Sequence, residues 1–164
     1  METAFKDETV TTVGQLPAQG DRAPEYSLVG SDLSPVATQD FAGRTVVLNI
    51  FPSLDTGVCA ASVRRFNELA SELENTTVLC VSADLPFAQA RFCGAEGIDN
   101  VVVASSFRST FGQDWGLQMA DGPLQGLLAR AVVVVDAGGQ VMYTQLVSEI
   151  TQEPDYDAVM AALG

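Results

Sequence analysis

Histidine is absent from this sequence. Its absence excludes a Cys–His dyad and removes the side chain that most often serves as a general base near neutral pH. Any thiol chemistry must therefore activate its sulfur by another route. Cysteine occurs only at positions 59, 80 and 93, an odd count with no close pair, so there is no disulfide framework. The CxxC and HxxxH spacings of zinc sites are missing too, and neither a metal nor another cofactor is expected. Lysine occurs once, as Lys6, against seven arginines and 21 acidic residues. The net charge of −13 repels nucleic-acid phosphates and anionic lipid, so neither is an expected partner. Long apolar runs are lacking, and the longest, Ala131 to Val135, is far too short to cross a bilayer. The opening METAFKDETV carries three acids and lacks the basic and apolar regions of a secretory signal, which predicts a cytoplasmic protein.

What remains is a globular composition, 47% hydrophobic and 18% charged, which excludes a disordered chain. A length of 164 residues predicts one domain, 1–164, able to bury roughly 70% of its unfolded surface. Residues 3 to 13 read as a hairpin around Lys6-Asp7-Glu8, and Glu25 to Val29 as a short strand. Thr45 to Phe51 is β-branched and almost continuously apolar, as a central strand buried on both faces would be. Pro52 stops it. A helix begins near Val58 or Cys59, with Cys59, Val63, Phe66, Leu69, Ala70 and Leu73 on one stripe. Thr77 to Ala83 is the next buried strand. Asp84 can cap the following helix, Leu85 to Ala95, with Pro86 in its first turn. Val101 to Ala104 (strand), Phe107 to Trp115 (helix), Ala129 to Asp136 and Val141 to Val147 (a hairpin across Gly138-Gly139) and Pro154 to Leu163 (helix) complete the chain. The order predicts an α/β fold, a mixed central sheet with helices on both faces and an N-terminal β-hairpin. Ligand chemistry in such sheets gathers at the carboxyl ends of strands, and the loop after Phe51 is such a place.

That loop, Pro52-Ser53-Leu54-Asp55-Thr56-Gly57-Val58-Cys59, delivers a cysteine to a helix N-terminus. The unpaired amides there favour a thiolate. Thr56 can cap the helix or reach the sulfur and a bound oxygen, and Pro52 can keep water away. The rival reading of Cys59 is an inert apolar thiol on the helix stripe. Arg130 stands in an apolar strand, where an unpaired charge is costly, and it is the natural cation for a thiolate in a chain without histidine. Its alternative is an ion pair with a nearby carboxylate. Spacing alone favours core roles for Cys80 and Cys93.

The motif PSLDTGVC has the form Pro-x-x-x-Thr-x-x-Cys, and with NIFPSLDTGVCAASVRRFNELA, VSADLPFAQARFCGAEG, ADGPLQGLLARAVVVVD and EITQEPDY the chain resembles the bacterial thiol peroxidases, atypical 2-Cys peroxiredoxins. The resemblance covers essentially the whole length. It implies a thioredoxin-like fold and a homodimer. The implied reaction is the reduction of hydroperoxide, with thioredoxin as reductant. It makes Cys59 the peroxidatic cysteine, Thr56 the threonine that bonds thiolate and peroxide, Pro52 the shield and Arg130 the active-site arginine. Cys93 becomes the resolving cysteine, and Cys80 stays in the core. An apolar rim of Leu54, Phe87 and Leu124 suits alkyl hydroperoxides. One departure stands out: the hairpin turn lacks the glycine common there. A thiol–disulfide oxidoreductase is disfavoured, since Thr56-Gly57-Val58-Cys59 has one cysteine where CxxC has two. A redox sensor or holdase has little support in an acidic globular chain.

Overall fold

A computed structural model describes residues 1–164. The hairpin consists of β1 (Glu2–Phe5) and β2 (Glu8–Thr11), antiparallel. Its turn, Lys6-Asp7, places both residues at positive φ, 52° and 67°. Paired left-handed residues give a turn whose twist matches a hairpin, but side chains hold that geometry only under strain.

Seven strands form the main sheet: β3 (Ser27–Gly30), β4 (Pro35–Ala37), β5 (Thr45–Ile50), β6 (Thr76–Ser82), β7 (Val102–Ser105), β8 (Ala131–Val135) and β9 (Val141–Leu146). They lie in the order β4-β3-β7-β6-β5-β8-β9. β5, β6 and β7 are parallel, while β8 lies antiparallel to β5, so the sheet is mixed. The helices are α1 (Gly57–Ala70), α2 (Pro86–Glu96), α3 (Phe111–Asp114) and α4 (Tyr156–Leu163). None is long and apolar enough to cross a membrane.

Alternation along β5 divides the interior in two. Val46, Leu48 and Ile50 face a core shared with Trp115, Phe111 and Val10 of the hairpin. Val47 and Phe51 face the other, with Val63 and Phe66 of α1 and Val159 of α4. Complete burial of Val63 and Phe66 contributes about 1.5–3 kcal/mol each, and it is this stripe that sets α1 down on the sheet with Cys59 inward.

The sequence reading differs from the fold in three places. The helix expected over Phe107 to Trp115 is only α3, because Ser105 and Ser109 hydroxyls take the Phe107 and Phe111 amides at 3.2 and 3.1 Å and stop a helix from starting earlier. β4 was not expected; it is a three-residue edge strand that begins with proline, where a ladder donor is not needed. Asp84 does not cap α2, whose N-cap is Leu85 with no side-chain bond.

Candidate active site

β5 hands the chain to α1 through six residues pinned from several sides. Phe51 stays paired, its amide donating to the Val81 carbonyl at 3.1 Å. Pro52 follows, buried. The Thr56 amide and hydroxyl both donate to the Ser53 carbonyl, at 3.2 and 3.1 Å, which closes a turn. Thr56 is the N-cap of α1, and its Oγ1 accepts from the Cys59 amide at 3.4 Å. Just past β6, the Asp84 carboxylate accepts from the Ser53 hydroxyl (2.7 Å), the Leu54 amide (2.8 Å) and the Ser82 hydroxyl (2.7 Å). The carboxylate is spent on fixing the loop, which is why it is not available to cap α2.

Cys59 lies in the first turn of α1, fully buried. Below it Asn49 of β5 donates to the Ser62 hydroxyl at 3.2 Å, and Ser62 donates to the Cys59 carbonyl at 2.8 Å. This pair ties the first turn of α1 to the sheet. Sequence reading missed Asn49, although an amide inside an apolar strand is itself a signal, since a buried polar group needs a partner.

The structure brings Arg130 to the sulfur across 71 positions, with Nη2 donating to Cys59 Sγ at 3.1 Å. Arg130 is 1% exposed and pairs with no carboxylate. Its Nε donates to the Ile150 carbonyl at 2.8 Å, and its Nη1 has no partner within the protein. A buried guanidinium without a counter-ion is costly unless an anion sits against it. Cys59 Sγ and the Ile150 carbonyl are the groups that meet it, and Nη1 is left an unpartnered donor.

Cys93 occupies the third turn of α2, half-buried, and burial pushes its thiol up from the ordinary value. Only Pro86 and Gln89 of this helix are fully buried, both near its start. Gln89 Nε2 holds the Ser82 hydroxyl (3.2 Å) and the Ala104 carbonyl (3.0 Å). The half of α2 that carries Cys93 has no buried side-chain hydrogen bond; Phe92 and Cys93 pack half-buried on the α1-side core, and Glu96 pairs with Arg64 of α1 at 3.2 Å. Cys80 is fully buried, its thiol is pushed up to about 12 by burial, and Asn49 Nδ2 lies 3.7 Å from its sulfur. All three cysteines are unpaired.

The expected rim is not one surface. Leu54 is buried on the α1 side, Leu124 packs against the hairpin-side core and Phe87 is exposed. A surface cleft of about 260 Å³ between Arg22, Tyr26, Arg44 and Val135 opens at the other end of β5 from Cys59. No three Cys, Asp or Glu side chains cluster as metal ligands do.

The Redoxin family matches residues 18–160. A thiol peroxidase of Corynebacterium glutamicum is 60% identical over 162 residues, 99% of this chain and 98% of that protein. A thiol peroxidase of Mycobacterium tuberculosis is 56% identical over 163 residues, again 99% of this chain and 98% of the relative. Among solved structures, a peroxiredoxin-like protein from Aquifex aeolicus superposes with a TM-score of 0.95 at 43% identity, covering 99% of this chain and 95% of that one. A thiol peroxidase from Chromobacterium violaceum shares the fold, with a TM-score of 0.92 at 22% identity over 99% of this chain and 95% of its own.

Proposed function

Since this chain belongs to the Redoxin family and is a peroxidase of its thiol peroxidase group, we propose that it reduces hydrogen peroxide and alkyl hydroperoxides through Cys59, with Cys93 as the resolving thiol. The observation that carries this reading is the buried contact between Arg130 Nη2 and Cys59 Sγ, 3.1 Å long and without a competing carboxylate. The Cys59 thiolate attacks the distal oxygen of ROOH. The S–O bond forms as the O–O bond breaks, and the electron pair leaves on the alkoxide oxygen, which takes up a proton to give ROH or water. In this reading Arg130 Nη1 and the amides opening α1 bear charge on the separating oxygens, and the Thr56 hydroxyl joins them once it turns from the Ser53 carbonyl. Pro52 keeps bulk water from the sulfur.

The Cys93 thiol then attacks the Cys59 sulfenic acid, expelling water and leaving a disulfide. Both sulfurs start in helices, so α2 must open around Cys93, giving up the half-buried packing of Phe92 and the exposed Arg64–Glu96 pair. A cross-link across 34 positions stabilises the oxidised protein against unfolding by roughly 3–4 kcal/mol, which offsets packing given up when α2 opens. An external dithiol of the thioredoxin type returns both thiols. We place the protein in the cytoplasm, where such dithiols are kept reduced.

Resolution within one chain has a direct test. After one equivalent of peroxide, the protein is expected to run as a monomer on a non-reducing denaturing gel, and peptide mapping to find one bridge, Cys59–Cys93. Cys93→Ser is expected to trap sulfenic acid on Cys59, labelled by a dimedone-type probe, and to pass to sulfinic acid in excess peroxide. A disulfide-linked dimer, or a bridge to Cys80, overturns the assignment.

We also read the protein as a homodimer. Leu85 and Phe87 open α2 with 53% and 70% exposure, and Phe107, 45% exposed, follows β7 nearby. Such side chains beside the active-site loop suit a two-fold interface of like patches. Sedimentation at micromolar concentration is expected to give twice the 17.3 kDa of the chain, and Phe87→Asp to return it to that mass. A wild-type protein that sediments as one chain removes the reading.

A further inference from the structure

The N-terminal hairpin has no part in the chemistry above, yet it is bonded to the segment that holds Arg130. The Val147 amide donates to the Arg130 carbonyl at 3.0 Å, and the Thr3 hydroxyl donates to the Val147 carbonyl at 2.8 Å. The Ala4 amide donates to the Ser148 carbonyl (3.0 Å) and the Ile150 amide to the Ala4 carbonyl (2.8 Å). The Ile150 carbonyl in turn accepts Arg130 Nε. Ile150 is thus held by the hairpin at its amide and meets the guanidinium with its carbonyl.

The tip of the hairpin is the strained, glycine-free turn Lys6-Asp7. In this turn the successive Lys6 and Asp7 amides point into one concavity, a shape that takes an anion. Glu149 fills it: Oε1 accepts the Lys6 amide at 2.9 Å and Oε2 the Asp7 amide at 3.2 Å. The Thr151 hydroxyl steadies Oε1 at 2.8 Å. The Thr151 hydrogen bond first, and then the Asp7 and Lys6 amides, hold this carboxyl down to about 2. The lock is therefore complete above the ordinary glutamate value of 4.5 and is lost only as pH falls towards 2, outside any working range.

We propose that Glu149 is a positioning residue for the peroxide reaction. Its carboxylate fastens the turn to the 147–151 segment, and that fixes the Ile150 carbonyl and, through it, the orientation of Arg130 over Cys59. Glu149 touches neither the sulfur nor Arg130. The inference rests on the reading that Arg130 serves Cys59, and the experiment separates the two.

Reduced wild type, Glu149→Gln and Arg130→Met are compared in two reactions of Cys59. One is the second-order reaction with hydrogen peroxide. The other is alkylation by iodoacetamide, which leaves no oxygen anion for the guanidinium to carry. Misplacing a catalytic group by a fraction of an ångström to an ångström slows peroxide by about ten- to a hundredfold, and that is the loss expected for Glu149→Gln, with alkylation slowed by less. An Asn-Gly turn adopts the hairpin geometry without help, so adding Lys6→Asn and Asp7→Gly to Glu149→Gln is expected to restore most of the rate. The same pair in the wild type is expected to change nothing. A normal peroxide rate in Arg130→Met sinks the reading of Arg130 and this inference with it. A slow Arg130→Met beside a folded Glu149→Gln of wild-type rate, or a slow Glu149→Gln that the Asn-Gly turn does not rescue, overturns the inference alone. Should Glu149→Gln fail to fold, Glu149→Asp keeps the charge but reaches only one amide; an intermediate loss supports the role and a wild-type rate overturns it.

Discussion

Cys59→Ser is expected to leave no measurable hydroperoxide reduction in a thioredoxin-coupled assay. Serine occupies the same fully buried place, and its hydroxyl still accepts from Arg130 Nη2, so the fold and its far-ultraviolet dichroism should be kept. What is lost is the nucleophile. A serine hydroxyl is not ionised near neutral pH, no histidine is available to take its proton, and oxygen does not attack a peroxide as thiolate does. Neither remaining thiol can substitute. Cys80 is sealed in the core with its thiol pushed up to about 12, and burial also raises Cys93, which has no cation beside it. Turnover above a trace in this variant would sink the assignment of Cys59.

Arg130→Met is the second large effect. Methionine keeps most of the volume in a site that is 1% exposed but removes the donor to Cys59 Sγ and the free Nη1. Losing one preorganised donor to a developing oxygen anion costs about 10²–10³-fold in rate, so the peroxide reaction should slow by at least that much. Arg130→Lys should recover only part of it. An ammonium cannot span both the Ile150 carbonyl and the sulfur from one fixed fork, and it is more strongly hydrated than guanidinium. Stopped-flow mixing of reduced protein with peroxide reads both variants. A Lys variant as fast as wild type would mean that charge alone matters and that the fork geometry does not.

Much of the framework is legible from residue order because its signals are local. The apolar run of β5, the stripe of α1 and the Gly138-Gly139 turn each declare themselves within a dozen residues. Thr56 and Cys59 share one helix terminus, so their proximity was readable as spacing. Arg130 was readable only as a charge stranded in an apolar strand, and resemblance, not spacing, tied it to Cys59. Asp84 was misread. Nothing local distinguishes a carboxylate that caps the next helix from one that reaches back 30 positions to the Leu54 amide. The role of Ile150 is carried by a backbone carbonyl, which every residue has, and that of Glu149 depends on a contact 143 positions away. β4 and the short α3 were hidden by Pro35 and by serine hydroxyls that compete with helix hydrogen bonds.

The place of β8 in the sheet has a consequence for biosynthesis. It lies inside, between β5 and β9, although it is translated after both β5 and β6. A nascent chain that has already extruded Cys59 therefore lacks the strand that covers β5, the guanidinium on Arg130 and the Ile150 carbonyl that aims it. Its sulfur has no guanidinium beside it until Arg130 follows. The contact between Arg130 and Cys59 is completed only when the 147–151 segment is out and pairs with β1. Pairings of this sequence separation fold slowly, so chaperone occupancy should persist until the final segment is released, and any product cut short before Ile150 should be inert towards peroxide rather than partly active.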